Sequence, residues 1–429
     1  MPAAGGAFAA ARQPAIWNRP LLEPRILRLH AENAAFLADR IAMARDGPNE
    51  RALDLFDLEA RLGGHLAALR RAGAAGLEAA LMALDAEPGP GEILVAATLS
   101  LGHRPEDDLC VHLPGRLLVP AAAPAIGAAL ALLDPPRIGP RLRAWLDGDD
   151  PLSVLAALGA CGRLRADPGP RLAPLLRHGA APVAARAVRL AGELGRADLG
   201  APILDRLGSC PEAPRAAVLL GERHHAPPHL LPRDPGAPPG RWREAAELLP
   251  LAVPPAAASA EIARLLGHPA TRRWAVVAAG ALGLPETLDW LIAQMEDPLL
   301  ARSAGLAFGQ ITGARLGPDN LERATFPEDP EDPVADACRL ERSIESHAYW
   351  PDPEKCGAWL AKRRAGLGAG ERHLLGAAAW THAAPPEPGH RTQLQLRALS
   401  LEIACRSPSA PLPDWRAPVR LGPDGFGRG

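Results

Sequence analysis

The sequence predicts an all-α protein, an α-solenoid of stacked helix pairs with N-terminal and C-terminal helical capping regions. Three observations carry this prediction. Prolines able to open a helix fall at Pro151, Pro182, Pro211, Pro269 and Pro298, spaced 31, 29, 58 and 29 residues apart, and 58 is two beats of 29. The phase runs back to Pro120 and Pro90, at spacings of 31 and 30. A fixed period of this size is the mark of a repeat array, in which each unit buries its apolar face only against its neighbours. Second, apolar residues follow these prolines at helical spacing: Val183, Ala187, Leu190 and Leu194 after Pro182, and Leu299, Leu306, Phe308 and Ile311 after Pro298. Third, aromatics are scarce, with one Tyr, six Phe and nine Trp. Alanine and leucine must therefore do the packing, which suits closely stacked helices.

Residues 1–20 read as a loose, proline-containing tail. Residues 21–87 read as an N-terminal helical region. Leu22, Ile26, Leu29, Leu37 and Ile41 mark its first amphipathic helix, and Asp46-Gly47-Pro48-Asn49 marks a turn. Leu55, Leu58, Leu62, Leu66 and Leu69 mark a second helix that ends near Gly73, and a third spans 76–84.

The array is expected over 88–315. Proline is tolerated in the first turn of a helix, where its missing N–H has no intrahelical partner. Asp150 and Asp297 precede two of the phasing prolines, where an acidic N-cap meets free N–H groups. Gly195 and Gly283 stand where C-terminal glycines belong. Second, shorter helices follow at Leu172–Leu176, Leu199–Leu207 and Leu288–Met295. One beat, between Pro211 and Pro269, is irregular. It holds His224, His225 and His229 and a proline-rich loop, and a helix resumes at 241–249. Three close histidines invite a metal reading, but flanking prolines and the lack of a nearby Cys or carboxylate set favour a polar loop.

An acidic, proline-rich linker is expected over 316–353, with Asp319, Glu322, Glu328, Asp329, Glu331 and Asp332. A C-terminal helical region follows at 354–406, built from three short helices around Trp359, Leu374–Trp380 and Leu394–Ile403. Residues 407–429 read as a flexible tail.

Arg186, Arg215, Arg273 and Arg302 each lie four residues after a phasing proline. The pattern Pro-x-x-x-Arg, then small residues, then Leu-Gly, resembles HEAT-like repeats of the phycobilisome lyase type. In such repeats the arginine braces adjacent units, so these four are expected to be structural rather than ligand-binding. A second resemblance lies in the N-terminal helices. His30, Glu32, Phe36 and Arg40 in the first, and Arg61 and His65 in the second, resemble the opening motifs of an uncharacterised proteobacterial HEAT-repeat family. Trp350-Pro351-Asp352-Pro353, Gly370–Leu374 and Gln393–Arg397 resemble its C-terminal part. Genes of that family often sit beside type VI secretion components. The resemblance implies a protein-binding adaptor or chaperone-like accessory for a secretion effector or spike-tip component, or an immunity protein against a co-encoded toxin.

The remaining chemistry is sparse. No phosphate loop, dinucleotide fingerprint, H-E-x-x-H or G-x-S-x-G occurs. His30 and His65 could meet Glu32, Asp57 or Glu59 as an acid–base cluster. The alternative is a half-buried histidine bonded to a carboxylate that pins two helices. No catalytic, cofactor-binding or metal residues are assigned. An enzyme built on such repeats, a DNA-base glycosylase or a bilin lyase-type protein, would need a basic face or a reactive pocket. The formal net charge of -2 gives no bulk electrostatic case for nucleic acid or an anionic membrane. Six scattered cysteines without a C-x-x-C pair, and no signal-peptide or membrane-span pattern, lead to an expectation of a cytoplasmic protein.

Overall fold

The prolines that set the period also set the order of the helices. The computed structural model describes residues 23–103, 120–234, 236–325, 347–381 and 391–417. Among the described residues helices make up 67%, against one short β-hairpin, so the class is all-α. The N-terminal helices are α1 (Pro24–Ala44), α2 (Ala52–Arg71), α3 (Ala74–Ala86) and α4 (Pro90–His103). Then come α5 (Ala123–Ala131), α6 (Pro135–Leu146), α7 (Pro151–Leu164), α8 (Leu172–Leu175), α9 (Ala181–Glu193), α10 (Gly200–Leu204) and α11 (Ala213–Leu219). The series continues with α12 (Pro239–Ala252), α13 (Pro255–Leu266), α14 (Arg272–Leu282), α15 (Leu288–Gln294) and α16 (Ala301–Thr312). Last are α17 (Pro353–Ala361), the hairpin strands β1 (His373–Leu374) and β2 (Ala377–Ala378), and α18 (Gln393–Arg406).

Packing follows a regular order. α1, α4, α5, α7, α9, α11, α12, α14 and α16 form a row in which each touches the next. The phasing prolines begin or just precede α4, α5, α7, α9, α11, α14 and α16, all of them members of the row. The missing beat is also filled, since Pro239 is the first residue of α12. The shorter helices lie against the row: α6 on α7, α8 on α9, α10 on α11, α13 on α12 and α14, and α15 on α16. α1 continues the row by packing on α4, so the N-terminal helices and the proline-phased helices share one stack.

Close packing explains the small residues. A Cβ on Gly192 of α9 would come within 2.6 Å of Ala216 Cα in α11. Small residues let neighbouring backbones approach, and the leucines between them fill what is left. Leu158, Leu172, Leu190 and Phe308 are fully buried.

The C-terminal quarter departs from the sequence reading in three ways. The middle helix expected at Leu374–Trp380 is instead the β1–β2 hairpin. Its turn holds Leu375 and Gly376 at φ of 54° and 81°, a left-handed pair that suits a two-residue hairpin and no helix. Residues 316–325 and 347–353, expected in a solvated linker, are packed: Leu316, Leu321 and Trp350 are buried, and Glu322 pairs with Pro351 in an isolated β-bridge. Prolines and carboxylates suggested solvation, but the interspersed Leu316, Leu321 and Trp350 are buried. Residues 407–417, expected in a flexible tail, are also packed, with Leu412 buried and its N–H donating to the Glu193 carbonyl at 2.9 Å. The expected tail at 1–20, the acidic run at 328–332, and residues 418–429 lie outside the described residues.

These segments share one task. The C-terminal carbonyls of a helix have no intrahelical donors. His373 N–H donates to Gly283 at the end of α14, and Leu375 and Gly376 N–H donate to Gln310 and Ile311 of α16 at 2.7 and 2.9 Å. Arg372 donates to Leu282 and Ala281 carbonyls at 2.9 and 3.2 Å. Arg223 links the Val218 carbonyl of α11 to the Cys405 carbonyl of α18. α18 itself packs on α11 and α12. Residues 372–376 and 405–412 thus lie along the C-terminal ends of the row, from α16 to α9. Gly195 sits at φ 68°, and a Cβ there would meet Ser409 O at 2.6 Å.

Two substitutions test this packing. Leu190→Ala is expected to cost about 2–5 kcal/mol, the usual range for a fully buried leucine. Gly195→Ala is expected to cost about 1 kcal/mol or more, from its left-handed backbone and the contact with Ser409. Urea denaturation of both variants measures each cost, and an unchanged midpoint for Gly195→Ala would remove the returning segment from its assigned place.

Candidate interaction surface

The returning segment brings charges as well as apolar side chains. Arg397 of α18 is buried and pairs with Glu247 of α12 at 2.7 Å and with Asp46 of the α1–α2 loop at 3.5 Å. Arg416 closes on the same Asp46 at 2.6 Å. Arg243, one turn before Glu247, shares that carboxylate at 3.5 Å. Next to them lies a second group. Arg189 of α9 binds Glu244 of α12 at 2.6 Å, Glu212 at 3.0 Å and Glu193 at 3.1 Å. Glu193 in turn faces Arg186 and Arg165 at 3.4 Å each.

A buried charge is tolerated only when paired, because loss of water costs more than any one contact returns. Burial alone would raise the Glu193 carboxyl. Arg186, Arg215, Arg189 and Arg165 outweigh it and hold the group at about 2. Glu244 is likewise held well below the ordinary carboxylate range: burial opposes ionisation, and Arg189 and Arg215 overcome it. These carboxylates stay ionised and engaged, so none serves as a free acid or base at neutral pH.

The four repeat arginines do not form one set. Arg215 is buried between Glu193 of α9 and Glu244 of α12, at 3.7 and 3.9 Å, so it spans three helices of the row. Arg186 shares Glu193 with it. Arg302, in α16, instead lies over the Trp350 ring, 4.2 Å from its centroid. Arg273, at the same position in α14, is engaged with a neighbour as well.

The N-terminal motif is brought together only in part. His30 and His65 meet each other, Nδ1 to Nδ1 at 2.8 Å, with their rings edge to face. One ring nitrogen donates and the other accepts, so this contact needs neutral imidazole on at least one side. The expected carboxylate partners are elsewhere: Glu32 pairs with Arg28 at 2.7 Å, Glu59 pairs with Arg45 at 2.7 Å, and Asp57 is exposed. The reason is helical phase. Glu32 lies two residues from His30, on another face of α1. Arg40 pairs with Glu50, and Arg61 is exposed. Phe36 points to solvent and is 65% exposed.

No family model, curated protein or solved structure matches this chain.

Two surfaces stand out. On α1, Ile26, Leu29, Phe36 and Met43 are all exposed and fall at spacings of three and seven, which places them on one stripe. The opposite face of α1 is buried through Leu27, Ala31, Ala34, Leu37, Ala38 and Ile41. The second is a cleft of about 340 Å³ between the α1–α2 loop, α16, Tyr349 and the first turn of α18. Its walls are tied together: Gln393 N–H donates to Glu50 O at 2.8 Å, and Asn49 donates to the His347 carbonyl. Among the described residues no group of three or more His, Cys, Asp or Glu could hold a metal ion. Both His224 and His225 donate their backbone N–H to Glu222 in an exposed turn.

Sequence inspection missed Asp46, Arg189, Glu193, Glu244, Glu247 and Arg397. One signal was available: Glu193 stands in the apolar face of α9, three residues after Leu190, where an unpaired carboxylate would be costly. No local signal joins Arg397 to Glu247, 150 residues apart.

Arg397→Ala leaves Glu247 buried without its main partner and is expected to cost about 3–5 kcal/mol in urea unfolding. Arg397→Met with Glu247→Leu should recover most of that loss. The histidine pair gives a pH test. Burial, then the charges of His30 and Arg61, lower the His65 pKa below 6.5. Its contribution is therefore present above the unfolded value and lost as pH falls through the lowered folded value. Wild-type stability should fall as pH drops below about 6.5, and His65→Gln should flatten that drop.

Proposed function

We propose that this chain is a protein-interaction scaffold, an α-solenoid of HEAT-like helix pairs whose terminal helix presents the binding surface. The observation that carries this reading is the exposed stripe Ile26, Leu29, Phe36 and Met43 on α1. The end helix of a stack has one face without a neighbour, and solubility calls for polar residues there. An apolar stripe in that place is the signature of a face that another protein covers. The order of helix contacts, each row helix on the next, supports the solenoid architecture.

The resemblance of the His30–Arg40 and Arg61–His65 stretches supports a more specific version: an adaptor or chaperone-like accessory that holds a type VI secretion effector or spike-tip protein. Phe36 belongs both to that motif and to the exposed stripe. An immunity protein would use the same kind of surface against a toxin. The described cysteines are free thiols, which supports a reducing, cytoplasmic setting. No helix among the described residues is long and apolar enough to cross a membrane.

Affinity capture from a native lysate tests the reading. Wild-type protein should retain a secretion-linked partner identified by mass spectrometry, and Phe36→Glu should lose it. Phe36 is exposed, so the substitution should leave the unfolding midpoint unchanged. Identical captured proteins for wild type and Phe36→Glu would reject the α1 surface.

A further inference from the structure

The cleft beside α16 carries chemistry that the α1 stripe lacks. Its volume is about 340 Å³, and both ends of the chain supply its walls: the α1–α2 loop, then α16, residues 314–318, Tyr349 and the first turn of α18. Small-ligand sites run upward from ~300 Å³, so this one has room for the end of a chain. A helix, about 10–12 Å across with its side chains, is too large for it. The walls are held in place. The Tyr349 ring is seated on Gly317, where an added Cβ would come within 2.6 Å of the ring. Glu50 O accepts the Gln393 N–H at 2.8 Å, and Asn49 donates to the His347 carbonyl, which ties the α1–α2 loop to the start of α18 and to the residues before Tyr349.

Backbone groups at the rim are already bonded. Arg51 N–H donates to Asp54, Thr392 N–H to the Gln395 side chain, and Thr392 O accepts from Leu396. An extended chain therefore finds no open strand edge at Arg51 or Thr392, and side chains must do the reading. Leu306 and Leu394 are half-buried and supply an apolar patch. The side chains of Gln310 and Tyr349 make no hydrogen bond among the described residues. Gln395 accepts the Thr392 N–H through Oε1, which leaves its amide N–H groups unused. The two arginines of the cleft differ. Arg51 is closed on Asp54 by two bonds, at 2.9 and 3.0 Å. Arg315, among the described residues, reaches only Asp319, at 3.8 Å, which is beyond hydrogen-bond range. The cleft thus combines one guanidinium with an open fork, amides and a hydroxyl without partners, and two leucines.

We propose that this cleft binds the carboxyl terminus of a partner protein, with the terminal carboxylate on Arg315, the last peptide groups on Gln310 and Gln395, and an apolar final side chain on Leu306 and Leu394. This rests on the protein-binding reading above and names the part of the partner that is held. A carboxylate takes two parallel N–H groups of one planar guanidinium. A peptide group offers one donor and one acceptor, and a side-chain amide matches both. Capture of a chain end is a recurring mode of peptide recognition. A phosphate ester fits the cleft less well. It carries about two negative charges at neutral pH, and Asp54 and Asp319 stand beside the one open cation. A neutral sugar would leave Arg315 without a counter-charge.

Fluorescence anisotropy on the full chain, with an amino-terminally labelled Gly-Gly-Ala-Ala-Leu peptide, tests the proposal. The peptide with a free carboxyl end should bind about tenfold more tightly than the same peptide amidated at that end, in line with one charge-assisted pair. It should also bind more tightly than a peptide ending in Glu. Arg315→Gln should lose about tenfold for the free-carboxylate peptide and nothing for the amidated one. Arg28→Gln, on the far side of α1 from its buried face, should lose nothing. Both arginines are exposed, so neither variant should change its melting curve. Gln310→Ala should weaken both forms of the peptide. Equal binding of the free and amidated peptides, or wild-type affinity in Arg315→Gln, overturns the proposal. So does displacement of the peptide by equimolar inorganic phosphate. Competition by 4-methylpentanoate as strong as by unlabelled peptide also overturns it, because that acid has no peptide group. The two readings fail separately. If Phe36→Glu loses the lysate partner while free and amidated peptides bind alike, the cleft falls and the scaffold stands. If no partner is captured yet the free-carboxylate peptide depends on Arg315, the cleft stands alone.

Discussion

The carbonyl groups at the C-terminal ends of the row helices are the constraint on which much of this structure depends. Each helix ends with carbonyls that its own backbone cannot satisfy. Stacking side by side solves the burial of apolar side chains but brings these polar ends together. The chain meets the need with its own C-terminal quarter. Backbone N–H groups of 373–376 serve α14 and α16, Arg372 and Arg223 serve α14 and α11, and Leu412 serves α9. The returning segment is therefore part of the stack's hydrogen bonding rather than an appendage at its end.

Charge pairing fixes the same segment sideways. Arg397 reaches Glu247 of α12 and Asp46 near the N-terminus, so one side chain ties three distant parts of the chain. Buried pairs of this kind add little net stability over apolar packing, but a misplaced partner leaves a buried charge bare. That asymmetry makes them a device for register. It fits the placement of Arg189, Arg215 and Arg186, which share Glu193 of α9, while Arg189 and Arg215 also reach Glu244 of α12.

The returning segment thus covers the C-terminal ends of α9, α11, α14 and α16. The stripe of Ile26, Leu29, Phe36 and Met43 on α1 is apolar and exposed and lies on the opposite side of that helix from its buried face.

The sequence by itself determined most of the helices and their order, though not α6, α13 or the hairpin at 373–378. Helix periodicity, capping residues and the proline phase are local signals. They set the bounds of α1 to α3 closely and marked the row helices, although Pro239 was overlooked because the loop before it is crowded with other prolines. The four repeat arginines were legible as a pattern, but not that Arg215 would join Glu193 to Glu244 while Arg302 would stack on Trp350. Tertiary structure alone decided where residues 372–381 and 391–417 lie, the packing of a segment that reads as solvated, and the meeting of His30 with His65 rather than with a carboxylate. The physical reason is range. Backbone propensity acts over a few residues, whereas the partner of a helix-end carbonyl or a buried ion is chosen by whichever group the folded chain carries to it.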